Sequence, residues 1–517
     1  MDRRKFVTLL SSSVVAGKAA SALGAERTPQ PRTSSGPLNV EALHGRPNVI
    51  FFICDDLGYG DLGCYGSKLP TPNIDRLKAE GTHFTRMNAG HPICSASRAA
   101  VLTGRYGTRS GTTGAFGPHS KQGTALDETL LSNLFHDKGY KTKAVGKWHL
   151  GELPQYLPTS RGFDSFYGVP YSVDMNPLPL MRDLEVLEKN TDRRLLTPRY
   201  TAEALRYIDE IGDKPYFMYL AYSYPHDPAR ASERFSGKTQ FGDAGDAIAE
   251  IDWSVGEVLR AVERKGQTSN TLVCFTSDHG PWYQGCPGAL RGRKASTFEG
   301  GFRVPFIARW PGRIAAGASV DDWCSNLDFL PTLAAICGLD HPAKPLDGIN
   351  ISSSLTGGGH LPERKPILYF SPMGNDGNDV HCIRKGDWKL RVAQATGGRG
   401  WGLDGKNASG GEIYINDRTT AARNSAWLAR PELYNLARDP AESYNVAKLE
   451  PGIVAELTAS LEVQMPSFPA KVKAAYNSLR QRVGDISTPP AAAPRPPNQK
   501  NPAWSWEPLD RRPHDEG

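Results

Sequence analysis

The sequence predicts an α/β fold organised round a large, mainly parallel sheet flanked by helices, followed by a smaller region of short strands and a helix. Three observations carry this. Several nearly continuous apolar runs end abruptly in polar residues, helical stretches alternate with them, and 53 glycines and 40 prolines among 517 residues supply the many turns such an order needs. Strands alternating with helices imply parallel pairing, with a ligand site beyond the carboxyl ends of the strands.

Residues 1–22 stand apart from the fold. Arg3-Arg4-Lys5-Phe6 is a twin-arginine start, residues 7–17 are a short apolar stretch, and Ala20-Ser21-Ala22 has the small-x-small form of a cleavage site. A frayed N-terminal helix is the other reading. About a dozen apolar residues fall short of the ~20 that a bilayer crossing needs, and no later stretch approaches that length. The expectation is twin-arginine export to a periplasmic or secreted location with no stable membrane insertion.

The formal charge is +6, and removing residues 1–22, with four basic residues and one acidic, leaves +3. With 22% charged and 39% hydrophobic residues the composition is that of an ordinary globular protein. It has no concentrated basic stripe, so a nucleic-acid partner is not expected. Eight cysteines are too few and too scattered for a disulfide scaffold, and Cys54 and Cys274, in apolar runs, read as small buried hydrophobes.

The run Pro47-Asn48-Val49-Ile50-Phe51-Phe52-Ile53-Cys54 reads as a strand buried on both faces, delivering Asp55 and Asp56 at its end. Cys94 opens a helix-like run that Gly104 ends, and a helix is expected over 126–138, closed by Gly139. Lys143-Ala144-Val145 is a short strand followed by Lys147-Trp148-His149. The strand 216–222 runs out into Pro225-His226, an amphipathic helix covers 247–264, and the strand 271–276 stops at Ser277-Asp278-His279-Gly280.

Asp55, Asp56 and Asp278 are hard oxygen ligands that would repel one another unless a divalent cation, calcium or magnesium, neutralised them. Singly, each has an alternative reading as a turn former or helix cap. Lys147 and His149 alone read as a solvated lysine beside a structural histidine, His226 as a loop histidine, and Lys294, in Arg291-Gly292-Arg293-Lys294, as part of a solvated basic face.

The combination points further. Cys94-Ser95-Ala96-Ser97-Arg98 followed by Leu102-Thr103-Gly104-Arg105 resembles the signature of the type I sulfatases, in the alkaline phosphatase-like superfamily. Similar to the same family are residues 48–63 with DDLGYGDLG, Thr71-Pro72-Asn73-Ile74-Asp75, Gly146-Lys147-Trp148-His149-Leu150-Gly151, Ser277-Asp278-His279-Gly280, and Lys294 within 292–301. The resemblance spans residues 47–485, and its start looks most like the N-acetylgalactosamine-6-sulfatase and arylsulfatase A branch.

The resemblance implies a mixed, mainly parallel sheet and a second, antiparallel sheet in the C-terminal part. It implies a sulfuric ester hydrolase in which Cys94 is oxidised to formylglycine (3-oxoalanine), whose hydrated aldehyde attacks sulfur and later releases sulfate. Asp55, Asp56, Asp278 and His279, with position 94, would hold Ca2+ or Mg2+; histidine is an unusual calcium ligand, and related sulfatases often have asparagine there. Arg98 and His149 would orient and ionise the diol, Lys147 and Lys294 would neutralise sulfate oxygens, and His226 would protonate the leaving oxygen. The partners implied are a sulfated saccharide and a formylglycine-generating maturation enzyme, which would meet Ala96 where the common signal has proline. Small aryl sulfates are the expected artificial substrates, and Arg291, Arg293, Trp282 and Tyr283 are rim candidates. A phosphate or phosphonate monoester hydrolase of the same superfamily and a non-catalytic sulfoglycan-binding protein are the alternatives.

The division expected is a signal peptide at 1–22, a catalytic domain at 46–359 ending in Gly357-Gly358-Gly359, a C-terminal subdomain at 360–485 and a proline-rich tail at 486–517. Within the subdomain, 367–370, 382–385 and 388–392 read as strands, 455–463 as a helix, and 371–381 as a loop leaning over the pocket. Trp504 and Trp506 favour a tail used as a strap.

Overall fold

The structure is a computed structural model that describes residues 45–356, 361–372, 377–396 and 424–483. The expected export segment 1–22, the expected linker 357–359 and the expected tail 486–517 lie outside the described residues, as does part of the loop 371–381.

The large sheet has eleven strands. In chain order they are β1 (Asn48–Cys54), β2 (Thr82–Asn88), β3 (Lys141–Lys147), β4 (Ser165–Val169), β5 (Leu180–Arg182), β6 (Glu185–Glu188), β7 (Tyr216–Ala221), β8 (Thr271–Ser277), β9 (Arg303–Arg309), β10 (Ala318–Val320) and β11 (Cys324–Ser325). Their spatial order is β10-β2-β9-β8-β1-β7-β3-β4-β5-β6, with β11 also on β2. The central five, β8, β1, β7, β3 and β4, are parallel. β9 runs antiparallel between β2 and β8, and β5 and β6 add an antiparallel edge, so the sheet is mixed and mainly parallel at its centre.

The unbroken apolar runs have a simple cause. All seven residues of β1 are buried, with Val49, Phe51 and Ile53 entering one core and Ile50, Phe52 and Cys54 the other. β7 and β8 divide in the same way: Phe217, Tyr219, Leu272 and Cys274 lie on one side, and Met218, Leu220, Val273 and Phe275 on the other. A strand that feeds two cores cannot alternate apolar with polar. Helices α1 (Pro72–Glu80), α4 (Leu196–Glu210) and α5 (Gly242–Arg264) cover one face, and α2 (Cys94–Thr103), α3 (Leu131–Asp137) and the helix Phe329–Cys337 cover the other.

Several expected boundaries move. α3 starts at Leu131 rather than 126, because Leu126 is exposed, Glu128 is engaged by Arg105 and Lys344, and Asn133 Oδ1 accepts the Leu130 N–H to close the first turn. α5 begins at Gly242, earlier than expected, and the helix expected over 455–463 runs Pro451–Gln464, with proline in the first turn where its missing N–H costs nothing.

The second sheet is antiparallel and sequential: β12 (Ile367–Ser371), β13 (Asp379–Lys385), β14 (Trp388–Thr396) and β15 (Asn424–Asn435). The expected loop 371–381 is therefore shorter, since pairing with β12 draws residues from Asp379 onward into β13. Leu368, Val380, Ile383 and Leu390 join the core on one face of the large sheet. Buried Glu299 ties the two sheets, accepting from Asn88 Nδ2 at 3.1 Å, Lys389 Nζ at 3.1 Å, Tyr369 Oη at 3.1 Å and Arg303 Nη2 at 2.8 Å. No described helix is long and apolar enough to cross a membrane.

Candidate active site

Four adjacent parallel strands release their C-terminal ends toward one edge. β1 gives Asp55 and Asp56, β8 gives Asp278 and His279, β7 leads to His226, and β3 ends on Lys147, two residues before His149. Lys147 is thus the last strand residue rather than one beyond it. The Asp278 amide donates to Cys54 O at 3.1 Å, the Asp55 amide to Tyr224 O at 3.1 Å and the His149 amide to Pro170 O at 3.0 Å, so the emerging segments stay side by side. Gly146 has φ 102, and a Cβ there would lie 1.8 Å from Ala221 O, so only glycine lets β3 approach β7 just before Lys147. Asp56 and His149 adopt left-handed backbone (φ 62 and 63), a strain that turns their side chains into the site.

Cys94 opens α2, every residue of which is buried. Its N-cap, Ile93, has no side-chain acceptor, and the first intrahelical bond is Ser97 N to Ile93 O at 2.9 Å, which leaves the earlier N–H groups available to an anion. Ser97 Oγ donates to Asp278 O. Lys294 N donates to Pro281 O at 2.9 Å and Ala295 N to Pro92 O at 2.8 Å, which fixes the lysine-bearing loop against the segment before Cys94.

Three cations answer three carboxylates. Arg98 is fully buried, with Nε 3.1 Å from Asp278 Oδ2, Nη1 donating to Lys147 O at 3.1 Å and Nη2 3.3 Å from Asp55 Oδ1. Lys147 Nζ lies 2.5 Å from Asp55 Oδ2 and 3.1 Å from Ser172 Oγ, and Lys294 Nζ donates to both Asp56 oxygens at 2.8 and 2.9 Å. Burial alone would raise Asp55, but the charges of Lys147 and Arg98 hold it well below the usual carboxylate range; Asp56 is lowered likewise by Lys294. Asp278 goes the other way, pushed up to about 7 by burial and then by the neighbouring Asp55 charge.

The histidines can be assigned tautomers, because a backbone carbonyl only accepts. His279 Nδ1 lies 2.9 Å from Gly280 O and must donate, so its Nε2 lone pair faces Asp56 Oδ1 at 3.5 Å and Cys94 Sγ at 3.4 Å. Burial lowers this ring to about 3, so it is neutral. His149 Nε2 donates to Phe116 O at 2.8 Å, which leaves a buried Nδ1 lone pair with no hydrogen-bond partner among the described residues; burial, then the Lys147 charge, keeps this ring neutral too.

Donor atoms of Asp55, Asp56, Cys94 and His279 all lie within 4.8 Å of one another. Lone pairs of an imidazole and a carboxylate facing each other without a proton between them, beside an Asp55 Oδ1 that meets Arg98 Nη2 at 3.3 Å and has no hydrogen bond among the described residues, fit a cation. Asp278 sits just outside this set, its oxygens already accepting the Asp56 and His279 amides and Arg98 Nε.

All ten residues singled out from the sequence, Asp55, Asp56, Cys94, Arg98, Lys147, His149, His226, Asp278, His279 and Lys294, are buried at this edge. Ser172 and the Phe116 carbonyl are additions that carried no sequence signal, one a lone hydroxyl and the other backbone. Of the rim candidates, Arg293 holds a loop in place by donating to Trp282 O at 2.8 Å and Gly285 O at 2.6 Å, while Tyr283, Arg291 and Arg293 line a cavity beside Lys294.

A family model described as sulfatase matches residues 47–339, more than half of the chain. The chain belongs to the sulfatase family. A second model, described as N-sulphoglucosamine sulphohydrolase, C-terminal, matches residues 293–392 of this sulfatase. Human arylsulfatase A is 33% identical over 87% of this chain and 94% of its own length. Rat N-acetylgalactosamine-6-sulfatase is 36% identical over 77% of this chain and 81% of its own. A solved Bacteroides thetaiotaomicron sulfatase, described with the metabolism of multiple glycosaminoglycans, superposes with TM-score 0.70 at 27% identity, covering 81% of this chain and 99% of that one. The protein is therefore a sulfatase of alkaline phosphatase-like fold, an enzyme that hydrolyses sulfate esters.

Proposed function

We propose that this sulfatase releases sulfate from a sulfated carbohydrate through a formylglycine made from Cys94, with Ca2+ or Mg2+ held by Asp55, Asp56, Asp278, His279 and position 94. The observation that carries the reading is Cys94 itself. Burial pushes its thiol well up, so the unmodified side chain stays protonated, unlike the exposed low-pKa thiols that act as nucleophiles. A buried thiol at an anion-receptive helix start, 3.4 Å from the His279 lone pair, suits a precursor better than a finished nucleophile.

The modified residue supplies a hydrated aldehyde as nucleophile, and the cation supplies positive charge against the sulfate oxygens. The remaining work falls to residues whose atoms are in place. Arg98, locked by Asp278, Asp55 and the Lys147 carbonyl, orients the side chain at position 94. Lys147 and Lys294 place ammonium groups where charge spreads onto sulfate oxygens. His149 Nδ1, neutral and without a partner among the described residues, takes the proton that must leave when sulfate departs. The hydrogen-bonded pair of Lys294 and His226 supplies the proton to the leaving oxygen.

The twin-arginine segment supports periplasmic or secreted placement after maturation of Cys94 inside the cell, since that route carries folded proteins. The test is turnover of nitrophenyl sulfate against nitrophenyl phosphate, then sulfate release from a panel of sulfated saccharides. Sulfate turnover exceeding phosphate turnover supports the reading; preferred phosphate turnover, or no turnover of either by natively produced enzyme, contradicts it.

A further inference from the structure

A cavity of about 200 Å3 starts at Lys294 and extends between the 291–298 segment and the second sheet. Four cationic side chains, Arg291, Arg293, Lys294 and Arg391, line it against one carboxylate, Glu432. Lys294 serves Asp56 and His226, and Arg293 serves two backbone carbonyls. The other two are gathered on one aromatic ring: the Arg291 guanidinium carbon lies 3.9 Å from the Phe298 ring centre and that of Arg391 lies 4.0 Å from it.

Cation–π contact holds two like charges on one ring, although each is repelled by the other. Arg291 donates to Glu442 O at 2.9 Å and Arg391 pairs with Glu432. Arg391, only 5% exposed, keeps a buried Nε–H with no acceptor among the described residues. An oriented guanidinium with an unused donor, beside a second one, is the geometry that receives an oxyanion in a forked grip. The cavity is smaller than the ~300–1,000 Å3 of pockets that enclose a whole ligand, so it takes one group on a substrate anchored elsewhere.

We infer that Arg291 and Arg391 bind a second negatively charged group, a carboxylate or a sulfate, on the molecule whose scissile sulfate ester sits at Cys94, and that the preferred substrate is a multiply anionic saccharide. This rests on the proposed role of the Cys94 site. Arg291 comes from the segment that carries Lys294 and Arg391 from β14, so the second sheet contributes to substrate choice directly.

The test is steady-state kinetics on four probes: nitrophenyl sulfate, a monosulfated amino sugar, its disulfated counterpart, and a hexuronate-bearing disaccharide of the monosulfated sugar. The wild-type enzyme should show a lower KM for one or both doubly anionic probes, and which one identifies the group as sulfate or carboxylate. Arg391→Gln and Arg291→Gln should each raise that KM about tenfold relative to the KM for nitrophenyl sulfate, with kcat moving little. Arg291 is only partly buried, so its variant folds even if loss of Arg391 disturbs β14. An enzyme that cleaves nitrophenyl sulfate but has the same KM for all saccharides, or variants that leave the KM ratios unchanged, overturns this inference and leaves the Cys94 reading standing. Cleavage of none of the four overturns the Cys94 reading, and this inference with it.

Discussion

Lys294 Nζ lies 2.8 Å from His226 Nε2. Because an ammonium only donates, Nε2 must accept, and His226 Nδ1, 2.6 Å from Asp227 O, must carry the ring's proton. His226 is thus a neutral ring whose lone pair is already filled by Lys294, and the mobile proton of the pair sits on the lysine. In the proposed reaction the leaving oxygen would then be served by two residues sharing one proton rather than by the histidine alone.

That pairing predicts a dependence on the leaving group. In His226→Ala, sulfate release from a sugar ester, whose alkoxide needs a proton, should fall by about 10²–10⁴-fold. Turnover of nitrophenyl sulfate, whose phenolate leaves unaided, should fall far less. Parallel kcat values on the two substrates check this, and equal losses would remove the proton-donor role.

Metal removal should cost both activity and stability. Chelator-treated enzyme should stop releasing sulfate, recover it on addition of Ca2+ or Mg2+, and unfold at a lower temperature without the ion, because crowded buried carboxylates lose their counter-charge. His279→Ala should raise the metal concentration needed for recovery about tenfold or more. Calorimetry with and without chelator reads the stability arm, independently of turnover.

Glu203 on α4 anchors the outer part of the large sheet through Lys143 Nζ at 2.6 Å and Arg182 at 2.9 and 3.0 Å, and Arg206 Nη2, on the same helix, adds a bond at 2.7 Å. Burial would raise its pKa, but hydrogen bonds from Arg182, Arg206 and Lys143 bring it to about 2. A carboxylate depressed in the fold contributes stability that is fully present above its unfolded value of about 4.3 and is lost as pH falls toward 2. Denaturant midpoints at about pH 7 and about pH 3 should differ less in Glu203→Gln than in the wild type. Glu203→Ala should cost about 3 kcal/mol at neutral pH, since it strands the buried Lys143 ammonium.

Glu299 is the corresponding joint between the two sheets. Removing it leaves Lys389, Arg303 and Arg384 buried without their shared carboxylate, and Glu299→Ala should cost about 3–5 kcal/mol. Its amide donates to Glu442 Oε2 at 2.6 Å, so the Glu442→Gln variant, which keeps an acceptor there, should cost less. Urea unfolding of the two variants separates these outcomes.

Much of this was legible in the chain because of where the apolar runs stop. A strand buried on both faces reads as unbroken hydrophobics, and the polar residues after it, Asp55 and Asp56, Asp278 and His279, Pro225 and His226, mark the strand end at which a parallel sheet gathers its chemistry. Cys94 and Arg98 were legible as a motif. What stayed hidden depends on contacts between residues far apart in sequence: Ser172 against Lys147, the Phe116 carbonyl that fixes the His149 tautomer, and the stack of Arg291 and Arg391 on Phe298. The start of α3 was misplaced because Leu126 extends the helical period in sequence but has no core to face.

The central claim is that sulfate ester hydrolysis runs through a modified Cys94. Peptide mass mapping of active enzyme from a host that matures it tests this most directly, with sulfate release by Cys94→Ala as its companion. The account predicts an aldehyde in place of the thiol at position 94 and no sulfate release by the variant. Full activity from enzyme whose position 94 is entirely unmodified thiol would contradict it.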